Sequence, residues 1–167
     1  MKKVREDFLK MLSDYQGIVH KVCLIYFKTE ADRKDNFQEV VYQLWRSFTR
    51  LEDKTKVASW IYNIAINTSI SKIRKDSRIV YHDSVIEFSQ GIDSSYQADK
   101  EEELKFLLEA ICQLNDIDKS IMLLYLEEYN YNEIADILGI TKTNVGTRIN
   151  RAKKVIKQYL NKLYNGN

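Results

Sequence analysis

The stretch NYNEIADILGITKTNVGTRINRAKKVIKQ, residues 130–158, decides how the chain is read, because two helical patterns meet in it at a single glycine. Asn130 and Glu133 stand at capping-box spacing, in an asparagine form of the motif, and open a short helix carrying Ile134, Ala135, Ile137 and Leu138. Gly139 supplies the tight turn, since a positive φ costs a glycine little. Thr141 is suited to cap the helix after it. There Val145, Ile149, Ala152 and Ile156 make one apolar stripe, while Thr143, Thr147, Arg151 and Lys154 point away from it and Arg148 flanks them. Small Ala135 permits the close crossing that a helix-turn-helix requires. Threonine can touch a thymine methyl, arginine can grip guanine through two hydrogen bonds, and lysine neutralises phosphate. The candidate major-groove set is therefore Thr143, Asn144, Thr147, Arg148, Arg151 and Lys154. A surface helix in an ordinary bundle is the plainer alternative; cap, glycine, small residue and an acid-free second helix together argue for duplex DNA.

The rest of the composition agrees with a polyanion-binding chain. Its 167 residues suffice for one ordinary domain or two small helical ones, and 44% hydrophobic with 30% charged residues describes a globular protein. The net charge of +2 conceals a strong segregation. Residues 1–75 hold 15 basic and 9 acidic side chains, whereas 76–103 hold 2 and 8, and 104–140 hold 2 and 7. From 141 onward there are 7 basic residues and no acid. Two basic blocks around an acidic middle suggest two polyanion-facing surfaces, although each block could also be a solvated helix face. Cys23 and Cys112 form no CxxC pair and have no histidine cluster near them, so the expectation is two buried, reduced thiols and no metal. Asp14, His20 and Lys21 interrupt the first apolar stretch, which argues against a signal peptide or membrane insertion and for a cytoplasmic chain.

Proline is absent and periods near 3.6 recur, so the fold class expected is all-α. A helix runs through DYQGIVHKVCLIYF, with Ile18, Val19, Val22 and Tyr26 on one face. The next spans about Asp35 to Phe48, and its Phe37, Val40, Val41, Leu44, Trp45 and Phe48 form a core stripe. A third begins near Lys56 and ends near Lys75. Residues 76–100 then mix serine, aspartate and glycine without sustained periodicity and read as an acidic, flexible linker. Helical pattern restarts at Leu104, Leu107, Leu108 and Ile111 and continues through KSIMLLYLEEY. The expected division is thus two small helical domains, 1–75 and 101–167, around the linker 76–100.

A free-standing helix-turn-helix would need only the last third of this chain. DNFQEVVYQLWRSF, followed by KVASWIYNIAINTSISKIRK, resembles region 2 of bacterial sigma factors, and YNEIADILGITKTNVGTRINRAKK resembles their region 4. A short linker with no third domain is the layout of the extracytoplasmic-function (ECF) group. The resemblance implies a region 2 helical bundle and a region 4 helix-turn-helix, with RNA polymerase core and promoter DNA as partners and no cofactor, metal or small-molecule substrate. In that family the residues matching Asp35, Gln38 and Glu39 contact the clamp coiled coil of the largest polymerase subunit. Here they stand with Tyr42 on or beside the helix face opposite the core stripe, where an acidic and amide surface suits a basic partner, although an ordinary solvated face would look the same. The family's third helix and the loop before it capture the −10 element as its strands open, and its region 4 reads the −35 element. Lys56, Ser59, Trp60, Asn63, Asn67 and Arg74 fall in one stripe of that third helix, combining a stacking aromatic with amides and cations. A tryptophan at a helix start is more often a core residue than a base platform, which makes Trp60 the weakest member of this set. An anti-sigma protein, often membrane-anchored, commonly masks both domains in this family and is the further partner implied.

The chain departs from the family at several positions. Asn63 and Ile66 stand where arginines are frequent, and Ser71 where an aspartate is. The loop TRLEDKT lacks the usual glycine, and LNDIDKS replaces a segment that usually contains proline. The run Glu101–Glu103 reads as dipole compensation at a helix N-terminus rather than a metal cluster. His20 and His82 lack the partners catalysis would need, so no enzymatic role is expected. Two rival readings remain. A dimeric regulator binding duplex DNA without polymerase would show an apolar self-complementary face in residues 1–75, and in a helical adaptor the basic tail would be accidental.

Overall fold

The structure, a computed structural model, describes residues 1–77 and 95–166, with the side chains of 95–99 left aside. Among the described residues there are seven α-helices and no strand. The chain divides into two compact units, Met1–Val85 and Ile86–Asn167.

The first unit is a three-helix bundle of α1 (Lys2–Tyr26), α2 (Glu30–Ser47) and α3 (Val57–Asp76), each packed on the other two. α1 starts well before the stretch whose periodicity announces it. Phe8 and Met11 are the reason: both are buried, and the Phe8 ring meets Trp45 and Phe48 edge to face, with centroids 5.0 and 5.3 Å away. α2 also starts early, at Glu30, because the Thr29 hydroxyl accepts from the Asp32 N–H at 3.2 Å and caps it. From α2, Arg33 donates to the carbonyls of Phe27 and Lys28, both at 2.9 Å, and so satisfies acceptors just beyond the end of α1.

Of the expected α2 stripe, Val40 and Leu44 are fully buried while Phe37, Val41 and Phe48 are half-buried. Trp45 is 44% exposed, because it lies over the rim of α1 rather than between helices. The deepest residue of α2 outside the stripe is polar. Asn36 is wholly buried, and its Nδ2 donates to Ser69 Oγ on α3 at 2.8 Å and to Cys23 Sγ on α1 at 3.3 Å. Ser69 Oγ in turn donates to the Ala65 carbonyl at 2.7 Å. One buried polar node therefore ties the three helices in register, and burial holds the Cys23 thiol above its ordinary pKa. Cys112, expected to be buried, is half-buried.

The second unit holds α4 (Ser95–Cys112), α5 (Asp116–Leu126), α6 (Tyr131–Leu138) and α7 (Lys142–Tyr164). Of the expected linker, residues 78–94 lie outside the described residues, as does His82; the helix after it is already formed at Ser95. Glu101–Glu103 consequently sit beyond the first turn of α4, where the dipole has faded, and form an exposed, solvated face. The core joins Ala110 and Ile111 of α4, Ile121 and Leu124 of α5, Ile134 and Ala135 of α6 and the α7 stripe. α5 and α6 both end in a left-handed residue, Glu128 at φ 65° and Gly139 at φ 67°. After each, an N–H five residues on closes the last turn: Tyr129 to the Leu124 carbonyl and Ile140 to that of Ala135, both at 3.1 Å.

Candidate nucleic-acid interface

The turn between α6 and α7 is built as its sequence implies. Asn130 Oδ1 accepts from the Glu133 N–H at 2.9 Å while the Glu133 carboxylate accepts from the Asn130 N–H at 2.7 Å, a complete capping box. Thr141 Oγ1 accepts from the Asn144 N–H at 3.1 Å and starts α7. Val145, Ile149, Ala152 and Ile156 are buried against α4, α5 and α6. A Cβ at Gly146 would meet the Tyr131 ring of α6 at 3.4 Å, an ordinary van der Waals contact.

On the opposite side Thr143, Thr147, Arg151 and Lys154 are exposed, with Thr147 Oγ1 donating back to the Thr143 carbonyl at 3.1 Å. Arg148 differs from its neighbours. Its Nη1 stands 2.8 Å from Asp118 Oδ1 on α5, and its Nε donates to Asn144 Oδ1 at 3.1 Å, so both predicted residues face into the unit as much as outward. Lys153 is likewise drawn back: its Nζ donates to Tyr125 Oη at 3.0 Å, which holds its pKa above the ordinary lysine value. These two cations anchor α7 to α5, while Arg151 and Lys154 extend from it.

In the first unit, Lys56 ends a short 3-10 turn (Lys54–Lys56) and is exposed, as are Asn67 and Arg74, whereas Ser59, Trp60 and Asn63 are half-buried. The turn before α3 is ordered by Asp53, whose carboxylate accepts from the Thr55 hydroxyl at 2.5 Å and the Thr55 N–H at 2.9 Å; those hydrogen bonds hold it below the usual carboxylate range. Asn63 and Asn67 also line a cleft of about 830 Å³ between α2 and α3 whose cations, Arg46, Arg50, Lys72 and Lys75, the sequence pattern did not single out. They lie on α2, the turn after it and α3, and line one cleft only when the helices pack.

Asp35, Gln38, Glu39 and Tyr42 are all exposed along one stripe of α2. Glu39 accepts from Gln43 Nε2 at 2.8 Å, and the Arg46 guanidinium lies 5.7 Å from the Tyr42 ring centre. A shallow apolar groove borders this stripe, formed by Phe8, Leu12, Phe37, Val41 and Trp45 with Tyr42, so the surface is not purely polar. His20 stacks on Phe37 at 4.5 Å, a packing contact. No helix among the described residues is long and apolar enough to cross a membrane.

Comparison with known proteins identifies both halves of the chain. The family described as Sigma-70 region 2 matches residues 11–79, and Sigma-70, region 4 matches residues 107–156. RNA polymerase sigma factor SigV of Bacillus subtilis is 30% identical over 154 residues, covering 90% of this chain and 89% of that protein. ECF RNA polymerase sigma factor SigW of the same organism is 24% identical over 176 residues, covering 98% and 94%. The fold resembles that of the sigma factor RpoE of Bartonella quintana, solved with the anti-sigma factor NepR (TM-score 0.70, 18% identity, 96% of this chain and 98% of that one). It also resembles CnrH, solved with the cytosolic domain of CnrY (TM-score 0.66, 16% identity, 94% and 89%). With both regions matched in order and a curated relative spanning nearly the whole length, the chain belongs to the ECF group of RNA polymerase sigma factors, which give the polymerase its promoter specificity.

Proposed function

We propose that the exposed stripe Asp35, Gln38, Glu39 and Tyr42 docks on the clamp coiled coil of the largest polymerase subunit. Residues 1–75 then act as the docking and −10 domain and 101–167 as the −35 domain, tethered through 76–100. Lys56, Ser59, Trp60, Asn63, Asn67 and Arg74 hold the opened −10 strand, by amide and cation contacts with Trp60 offering its free edge as a stacking surface. Thr143, Thr147 and Arg151 read the −35 major groove and Lys154 grips its phosphates, while Asn144 and Arg148 set the angle of α7 and touch DNA at its edge. The chain carries no chemistry; polymerase performs nucleotidyl transfer in the cytoplasm and this factor supplies address and strand capture. The solved relative RpoE is in complex with the anti-sigma factor NepR, and a partner of that kind would hold this chain inactive.

The observation that carries this reading is the exposure of a docking stripe and of a basic recognition face in separate units of one chain. Run-off transcription tests it, with bacterial core polymerase, the purified chain and a pool of genomic fragments. Defined start sites should appear and should vanish with Asp35→Arg/Glu39→Arg. Tight footprints by the chain alone, with no transcription, would instead support a free-standing regulator paired through the apolar groove beside α2.

A further inference from the structure

We propose that Asn150 reads an adenine in the −35 element and so determines specificity there, a role that rests on the reading of α7 as the −35 helix. Opposite the buried stripe of Val145, Ile149, Ala152 and Ile156, the outward line of α7 runs through Thr143, Thr147 and Lys154. At roughly 3.6 residues per turn, Asn150 and Arg151 stand about 50° to either side of that line, so the asparagine faces outward as squarely as the arginine does. Thr147, Asn150, Arg151 and Lys154 are all exposed. Their i, i+3, i+4, i+7 spacing is one at which a helix lying in the major groove presents side chains to base edges.

The other asparagines of the turn and of the start of α7 are already engaged. Asn130 caps α6, and Asn144 Oδ1 accepts from Arg148 Nε at 3.1 Å. The Asn150 side chain has no hydrogen-bond partner among the described residues, so its Oδ1 acceptor and Nδ2 donor are both available. Adenine presents the matching pair in the major groove, N7 as acceptor beside the N6 donor, and a carboxamide meets both at once. Guanine offers two acceptors there, cytosine a donor, and thymine an acceptor with a methyl, so each satisfies only one end of the amide. A phosphate, which only accepts, would engage Nδ2 and leave Oδ1 unused, and Lys154 stands one turn on for that contact. The fold itself makes no use of Asn150: asparagine is a poorer helix former than alanine or lysine, and at an exposed mid-helix site it caps nothing. From 141 onward there is no acidic side chain, so nothing along α7 opposes the close approach of DNA. Arg151, on the other flank, carries the fork that suits guanine, and the two residues together specify two different bases.

Holoenzyme reconstituted from core polymerase and the full chain provides the test, with promoters randomised across the −35 element beside a fixed −10 element. Selection with the parent chain should yield one position held as adenine, and Asn150→Ala should abolish that preference. The loss should be roughly 5- to 150-fold between adenine and the other bases, as a two-bond contact gives, with preferences elsewhere in the element intact. Placing 7-deazaadenine at that position removes N7; it should weaken the parent holoenzyme and leave the Asn150→Ala holoenzyme unaffected, because both changes delete one contact. Alanine favours an exposed helix, so the variant should melt no lower than the parent; a lowered melting temperature would count against the assignment by showing that the fold uses the amide. An adenine preference that survives Asn150→Ala, equal weakening of all sequences, or an analogue effect as large in the variant as in the parent overturns it. Arg151→Ala separates this from the underlying reading. If Arg151→Ala loses preference at its own −35 position while Asn150→Ala changes none, only the adenine contact is removed; if neither variant alters any −35 preference, α7 is not the −35 reader.

Discussion

At the scale of single residues, α7 shows how alike side chains acquire different work. Arg148 and Arg151 are three residues apart, yet the first is held by a carboxylate and the second extends into solvent. With side chains 23% and 11% exposed, the Arg148–Asp118 pair is sheltered but not dry. Removing one partner strands a mostly buried charge, so Arg148→Met should lower the stability of the second unit by about 2 kcal/mol. Hydrogen exchange of α5 and α7 amides would report this as roughly thirtyfold faster opening. Asp118→Asn in the same background should restore much of the loss, because the stranded charge is then gone; additive losses would show that the ion pair is not what holds α7. Nothing in the sequence around Arg148 announces this partner, since Asp118 lies thirty residues earlier on another helix. Asn36 was illegible for a related reason. An asparagine beside an apolar stripe reads as surface, and only the packed bundle supplies the serine and cysteine that make its burial tolerable.

Among the elements, the two left-handed helix ends form a natural comparison. Gly139 closes α6 at φ 67° and Glu128 closes α5 at φ 65°, the same backbone with and without a side chain. A Cβ in this region costs roughly 1–2 kcal/mol, of which glycine's greater freedom in the unfolded chain returns part. Glu128→Gly should therefore stabilise the second unit by about 1 kcal/mol, and Gly139→Ala should destabilise it by a similar amount. The latter cost is conformational alone, because a Cβ at Gly139 would meet nothing within 4 Å. Thermal unfolding of the full chain, with exchange at α5 and α6 to localise the change, checks both signs. A Glu128→Gly protein no more stable than the parent would mean that the glutamate gains a compensating contact in its turn. Local chemistry of this kind was legible from the start: the Asn130–Glu133 box, Gly139 and Thr141 each do what their residue types favour. Helix beginnings were less so. α1 gains its first turns from Phe8 meeting Trp45 and Phe48, contacts made across the bundle rather than along the chain.

For the molecule as a whole, recognition divided between two units predicts how substitutions combine. The basic tail and the α3 stripe belong to separate compact units, so their contacts to a promoter share no side chains. Asn67→Ala and Arg151→Ala should each weaken holoenzyme binding by about 1–3 kcal/mol, and their joint effect should equal the sum within about 0.5 kcal/mol. Promoter changes should silence them selectively. Scrambling the −35 element should leave Asn67→Ala as costly as before and make Arg151→Ala nearly neutral, because its partner base is already wrong; scrambling the −10 element should do the reverse. Lys154→Ala should weaken all sequences alike and lower the salt slope by about one, as a phosphate contact does. The advantage of joining two modest modules is effective concentration: one element bound, the other unit searches a small volume instead of free solution. If both substitutions lost their effect when either element was scrambled, the units would be acting as one cooperative reader, and the division of labour assigned here to α3 and α7 would be wrong.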